Sequence, residues 1–310
     1  MSTIEHPTSP DRGAASRTAP GFLQRSGWPV VVLGLLELAW LGWFLVEPLP
    51  NAPAPAGELA RTRGILLLYA FPGVVPDVSL RESLLGEGLR ELSQVQNLPQ
   101  RLPIVGAAGL IALAALGLGD LIRRRLRAGL SPGFTERLAL DFGLGTVALG
   151  LAALILGRLG LLFPWVFRIG LGVAAAAGVA RSRFWTWERS RAETGTVAAL
   201  LIVSPFLLMM MLGSMLPAID FDVLEYHLQG PKEYFQNGRI GFLPHNVYTS
   251  MPFGVEMLHL IGMEVMGDWW WGGLVGQFLV ALYAPMAAVL IAGTASRLGS
   301  PCAGRLAAIV

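Results

Sequence analysis

The chain contains little cysteine, little lysine and little charge of either sign. Its one cysteine, Cys302, excludes an internal disulfide framework and has no partner pattern typical of a catalytic thiol. Charged residues make up 14% of the chain, 54% is hydrophobic and the mean hydropathy is +0.57, which excludes an ordinary soluble domain. The net charge of +2 does not indicate a nucleic-acid partner, because membrane topology accounts for most of the arginines. We therefore expect a protein embedded in a lipid bilayer.

Long apolar runs predict an all-α, polytopic bundle of transmembrane helices. A helix needs about 20 apolar residues to cross the hydrocarbon core. Six runs approach or reach this length: 30–46, 103–122, 138–156, 163–180, 196–216 and 272–292. A seventh run starts near residue 303 and is still short at residue 310, so we expect the chain to be the N-terminal part of something longer.

The arginines predict the orientation of these spans. Dense clusters lie in 123–137 and 181–191, after the second and fourth spans, and such clusters stay on the cytoplasmic side. With the N-terminus also inside, the six spans alternate and the segment 217–268 lies outside. A cleaved signal peptide is the alternative for the first run, but its long polar arm and wide apolar stretch favour a retained helix.

The predicted organisation has four parts. Residues 1–28 form a disordered cytoplasmic tail, 29–216 a five-span bundle with an outer loop at 47–102, 217–268 a second outer loop, and 269–310 the sixth span and the start of a seventh. In the first outer loop, Ser79 and Glu82 have the spacing of a capping box before an amphipathic helix. Whether that helix packs on the spans or contacts a substrate is left open.

The second outer loop, 217–268, concentrates the titratable residues of the chain. It holds three of the four histidines, seven of the 21 acidic residues and the only lysine, Lys232. Elsewhere, acids such as Asp120 and Asp141 lie near arginine clusters, where ion pairs satisfy them at little cost. Titratable groups gathered beside a membrane boundary indicate chemistry or ligand binding, and this loop is where we place it.

Local patterns predict helices in this loop. Asp222 is positioned to cap a helix that runs to about Gln229, and on an α-helix Asp222, Glu225, Tyr226 and Gln229 share one face. His227 projects away from that face. A second short helix starts at Pro231 and ends at Asn237-Gly238, and a third occupies the stretch 254–266.

Each candidate also has a structural interpretation. Asp220 or Asp222 is equally well explained as a helix cap, and Lys232 and Arg239 as contacts to lipid headgroups. Glu256 and His259 form one Glu-x-x-His unit, but a di-iron site needs two such units and two further glutamates, so no metal site is predicted.

The loop resembles the first outer loop of glycosyltransferases of the GT-C superfamily, most closely the bacterial branch related to protein O-mannosyltransferases and lipid A aminoarabinose transferases. The resemblance covers about 50 residues. It rests on Asp222-Val-Leu-Glu225-Tyr226-His227-Leu228, Pro231-Lys232, Tyr234, Asn237-Gly238-Arg239-Ile240, Pro244, Asn246, Tyr248, Pro252 and Glu256-Met257-Leu258. In two respects the chain departs from that superfamily: five spans precede the loop instead of one, and the usual Asp-Glu pair is absent.

The resemblance implies an inverting transfer of a sugar from a polyprenyl-phosphate donor to an acceptor hydroxyl, outside a bacterial plasma (inner) membrane. Asp222 would be the general base, with Asp220 or Glu225 in support. Tyr226, Lys232, Arg239 and His245 would bind substrate or lipid phosphate. A role for a divalent cation is left open because the acidic pair is missing.

The alternatives are a transporter or assembly subunit, or an inactive fragment of a glycosyltransferase. Transporters favour polar groups at mid-membrane and repeated halves. Here the predicted spans are poor in polar residues apart from Glu37, and no internal repeat is evident.

Overall fold

The computed structural model describes residues 27–48, 62–65, 79–126, 132–181, 194–251, 253–298 and 301–309. These residues are almost entirely helical and form no β-strand, apart from an isolated bridge between Pro48 and Thr62. The predicted all-α class is therefore confirmed for this part of the chain. Most of the predicted tail, residues 1–26, lies outside the described residues, and so do residues 49–61 and 66–78 of the first predicted outer loop.

The described residues form a series of α-helices. They are α1 (Gly27–Val46), α2 (Leu84–Ser93), α3 (Leu98–Leu126), α4 (Phe134–Arg158), α5 (Pro164–Arg181), α6 (Thr194–Gly213), α7 (Gln229–Asn237), α8 (Glu256–Met266), α9 (Trp269–Ala281), α10 (Tyr283–Arg297) and α11 (Pro301–Ile309). The chain divides into two compact units, Met1–Gly42 and Trp43–Val310. The described part of the first unit is the beginning of α1, and the second unit contains all the other helices.

Three helical segments of the described chain are long and apolar enough to cross a membrane: Val95–Leu126, Phe134–Arg158 and Trp269–Arg297. They coincide with the predicted second, third and sixth spans. The stretches Leu35–Val46 and Ala199–Gly213 are apolar but shorter. On α4, Val147, Leu151 and Ile155 are more than half exposed on one face, as expected of a side chain row that faces lipid. The structure thus supports membrane association.

Small residues bring α3 and α4 into backbone contact. A Cβ atom added at Gly145 would lie 1.7 Å from the carbonyl oxygen of Ala115, and one at Gly119 would lie 1.8 Å from that of Asp141. Only glycine permits such a close approach. In a membrane, where the hydrophobic effect does not drive helices together, close packing at small residues stabilises their association.

Two arginines near the end of α3, Arg123 and Arg124, pair with aspartates. Arg123 donates to Asp141 at 2.5 Å (Nε to Oδ1) and to Asp120 at 2.6 Å, and Arg124 also donates to Asp120. Asp141 is 2% exposed, so the ion pairs are what make its burial tolerable. This pairing agrees with the structural role expected from the sequence.

The first outer loop contributes a packing helix. Ser83 caps α2 by accepting a hydrogen bond from the Gly86 backbone N–H at 3.1 Å, while the predicted Ser79–Glu82 box closes a turn just before it. Gly88 of α2 lies against Leu208 of α6. Of the two roles left open for this helix, packing on α6 is the one seen in the structure.

Helix α8, which belongs to the segment 217–268, is buried along nearly its whole length and supports the rest of that segment. All residues from Glu256 to Glu264 are buried, and the glycines of α9 press against them. A Cβ at Gly276 would lie 2.5 Å from the Cα of His259. At the other side, the Ile240 N–H donates to the Gly157 carbonyl at 2.9 Å, which attaches the loop to the end of α4.

Candidate functional site

The acidic segment, Asp220 to Glu225, begins seven positions after the last residue of α6, Gly213. Asp220 and Asp222 are both exposed, and the Asp222 N–H donates to Asp220 Oδ1 at 3.1 Å. Asp222 itself has helical backbone angles and its carboxylate makes no capping bond. The cap-like role predicted for Asp222 therefore belongs to Asp220, which leaves the Asp222 carboxylate facing solvent.

The helix after Asp222 is a π turn and not the predicted α-helix. It comprises Val223–His227, and the Leu228 N–H donates to the Val223 carbonyl, five residues back, at 2.9 Å. The expected shared face of Asp222, Glu225, Tyr226 and Gln229 was based on α-helical spacing, and the wider π turn does not have that spacing. Single π turns of this kind occur frequently at functional sites.

The π turn places His227 against a carboxylate. His227 Nδ1 lies 2.6 Å from Glu256 Oε1, with the histidine side chain 39% exposed and the glutamate 10% exposed. A carboxylate that holds one ring nitrogen fixes the imidazole and leaves the other nitrogen for a ligand. This pair could not be predicted from the sequence, because its members are 29 positions apart and no local pattern joins them.

Aromatic rings gather beside the same turn. The Tyr226 and Tyr248 rings stack with centroids 5.1 Å apart and planes at 28°, and the His227 ring lies 4.2 Å from that of Tyr226. Burial raises the pKa of Tyr226, and so do the neighbouring negative charges, first that of Asp222. Tyr226 therefore connects the acidic segment to the loop that carries Tyr248.

Helix α7 carries the single lysine of the chain and a glutamate with two partners. Lys232 Nζ lies 4.1 Å from the centre of the Trp269 ring, a cation–π contact. Glu233 accepts hydrogen bonds from Gln229 at 2.7 Å and from His245 Nε2 at 3.1 Å. Although burial acts to raise the pKa of Glu233, the bonds from His245 and Gln229 lower it below its usual value.

A groove lies between α7, the π turn and the start of α9. It has a volume of about 620 Å³ including space open to solvent, and its walls are mostly apolar. Leu224 and Leu228 of the turn form one side, Trp269 and Trp270 another, and Lys232 and Gln229 are polar groups on its lining. We call it the lipid-side groove, because it opens where the segment Trp269–Arg297 begins.

No family model, curated protein or solved structure matches this chain.

The predicted site residues are thus distributed over one loop. Asp220, Asp222 and Arg239 are exposed, and Lys232 borders the groove. His245, predicted to bind phosphate, is instead paired with Glu233. Within the described ranges, no three histidine, cysteine or acidic side chains come together in an arrangement that could hold a metal ion.

Two titratable side chains on α8, His259 and Glu264, are buried. Several of their polar atoms form no hydrogen bond with the described residues. These atoms are His259 Nδ1 and both carboxylate oxygens of Glu264. Burial lowers the pKa of His259 to about 4, and burial raises the pKa of Glu264 to about 7. Both groups are therefore kept neutral in the folded protein near pH 6.

Proposed function

We propose that the protein is a membrane glycosyltransferase that moves a sugar from a polyprenyl-phosphate donor to an acceptor hydroxyl outside the membrane. The observation that carries the proposal is that the exposed carboxylates of Asp220 and Asp222 lie directly before a turn that also lines the lipid-side groove. A polytopic bundle with six spans and a cytoplasmic N-terminus belongs to the same proposal.

The groove fits the lipid end of such a donor. Its apolar walls suit an isoprenoid chain, and Lys232 supplies a cation for the phosphate. Tryptophans such as Trp269 and Trp270 favour the headgroup level of a bilayer, the depth at which a lipid phosphate lies. In the free protein Lys232 rests on the Trp269 ring, and it exchanges this contact for the phosphate when the donor binds.

The carboxylates supply the base. The acceptor oxygen attacks the anomeric carbon, the bond from that carbon to the phosphate oxygen breaks, and the lipid phosphate leaves with the electron pair. Asp222 takes the proton of the hydroxyl, and Asp220 and Glu225 stabilise the resulting charge distribution. One direct attack inverts the anomeric centre. Because His245 is held by Glu233, the phosphate role rests on Lys232 and secondarily on Arg239.

The test is transfer from labelled polyprenyl-phosphate sugars in sealed, right-side-out vesicles. Asp222→Asn should lower turnover about 10²–10⁴-fold, the usual value of a positioned base, without loss of folded protein. Lys232→Ala should raise the KM for the donor. Glu87→Gln, on a partly exposed carboxylate of α2, is the matched control and should be silent.

Different outcomes point to different corrections. Full activity in Asp222→Asn with none in Asp220→Asn moves the base by two residues. If neither carboxylate matters in any donor assay, the enzyme proposal is rejected and the loop is a cap on a non-catalytic bundle. Repeating the assay with a chelator decides whether a divalent cation takes part.

A further inference from the structure

A second cluster of aromatic and polar side chains at the π turn lies outside the lining of the lipid-side groove. Leu224 and Leu228 line the groove, whereas Tyr226 and His227 do not. The rings of Tyr226, His227 and Tyr248 form one packed group, in which Tyr226 contacts both of the others. Tyr248 is 45% exposed, whereas Tyr226 and His227 are half-buried, so the accessible ring of the group is that of Tyr248.

Polar groups surround these rings. Glu256 holds His227 from the α8 side at 2.6 Å. Asn246 donates from Nδ2 to the Glu225 carbonyl at 2.8 Å, and its Oδ1, on a residue only 8% exposed, accepts no hydrogen bond from the described part of the chain. Buried amide oxygens are nearly always satisfied, so an orphaned one indicates an unseen partner.

The negative charges near these aromatic rings limit which ligands can stack on them. Asp222 and Glu225 lie close enough to Tyr226 for their charges to affect its hydroxyl, and Glu256 adds a further carboxylate. A nucleotide or another phosphate-bearing ligand would be repelled by these acids. A neutral sugar is not repelled. Its C–H face stacks on aromatic rings and its hydroxyls donate to carboxylate and amide oxygens.

We propose that Tyr226, Tyr248, His227 and Asn246 form a subsite for a neutral pyranose ring. The assignment of that ring to the acceptor of the transfer rests on the proposed function. Because these side chains do not line the groove in which the donor's lipid phosphate would bind, the acceptor is favoured over the donor sugar.

Binding of purified protein in detergent to an array of neutral oligosaccharides tests the subsite. The wild type should retain pyranose-containing glycans, and their sialylated forms should bind more weakly. Tyr248→Ala should weaken binding about tenfold, the size expected for one lost aromatic contact. Tyr248→Phe keeps the ring and should bind within about threefold of wild type. Phe242→Ala is the control, since Phe242 is 75% exposed in the same loop and lies outside the cluster.

The proposal is overturned if the wild type binds no neutral glycan, or if Tyr248→Ala binds as well as wild type. It is equally overturned if Phe242→Ala weakens binding as much as Tyr248→Ala, because the effect would then belong to any exposed ring.

Transfer assays separate this proposal from the proposed function. Transfer by a wild type that binds no glycan rejects the subsite alone, whereas glycan binding without transfer from any donor rejects the glycosyltransferase alone. Where both are present, a raised KM for the acceptor in Tyr248→Ala assigns the pyranose to the acceptor, and a raised KM for the donor assigns it to the donor. Two unchanged KM values reject the subsite.

Discussion

Replacing Glu264 by glutamine should give the protein a pH-dependent stability that the wild type largely lacks. Glu264 and His259 are buried on α8, and burial shifts their pKa values in opposite directions, to about 7 and about 4. Their ordinary values are 4.5 and 6.5. Each group therefore makes the folded state less stable over the pH range in which only the unfolded chain carries its charge.

The sign differs for the two groups. As pH rises above 4.5 the unfolded chain ionises Glu264 first, so its contribution to stability falls until pH reaches about 7. As pH drops below 6.5 the unfolded chain protonates His259 first, so stability falls until about pH 4. At about 1.4 kcal/mol per pH unit, each effect amounts to about 3 kcal/mol. Between pH 4.5 and 6.5 the two slopes oppose each other and largely cancel.

Glutamine at position 264 removes one of the two slopes. Below pH 4.5 the free energy of unfolding of Glu264→Gln should differ from that of wild type only by a constant. Above pH 7 this difference should be about 3 kcal/mol larger, in favour of the variant. His259→Gln is the matched variant and should show its gain at low pH, growing as pH falls from 6.5 to 4. Since only differences between variants are compared, the titration of all other groups drops out.

Unfolding in detergent micelles at pH 4 to 8, followed by tryptophan fluorescence, provides the measurement. A difference between Glu264→Gln and wild type that stays constant over this range would refute the reasoning, because it would mean that Glu264 does not titrate differently in the folded state. A difference that grows toward low pH would show that the sign is wrong.

Two further predictions concern the packing of α3 on α4. Asp141→Asn should destabilise the protein by about 3 kcal/mol, because it leaves Arg123 without its most buried partner, and thermal unfolding in detergent measures this; an unchanged midpoint would contradict it. Gly145→Ala should cost about 1–3 kcal/mol or more, since its Cβ meets the Ala115 carbonyl, whereas Gly143→Ala has open space and should cost nothing. Equal effects of the two glycine variants would show that helix propensity, and not contact with α3, decides the result.

Local signals in the sequence predicted several elements of the outer loop. Gly238 ends α7 in the left-handed conformation, with φ of 64°, at the position where Asn237-Gly238 predicts a helix end. Helix α8 lies within the predicted stretch 254–266. Such ends depend on a few neighbouring residues, so they are legible from the sequence alone.

Contacts between distant residues were not predictable in the same way. The π turn at Val223–His227 replaced an expected α-helix, and no sequence pattern distinguishes the two within five residues. The His227–Glu256 pair, the Tyr226–Tyr248 stack and the cation–π contact of Lys232 each join separate segments of the chain. The spacing of an isolated helix predicts that His227 projects away from Asp222 and Glu225. It does not predict which residue the His227 side chain contacts.

The sequence by itself determined that this is a strongly apolar chain of predominantly helical pattern, with three of its four histidines and its only lysine in one loop, because composition and periodicity are properties of the chain alone. The tertiary structure decided which of those groups face each other. It turned His227 toward Glu256, set Lys232 on Trp269 beside an apolar groove, and buried His259 and Glu264, the Glu264 carboxylate without a hydrogen-bond partner among the described residues. Burial and long-range contacts depend on how the helices pack. In a close-packed interior, each contact depends on many residues from distant parts of the chain.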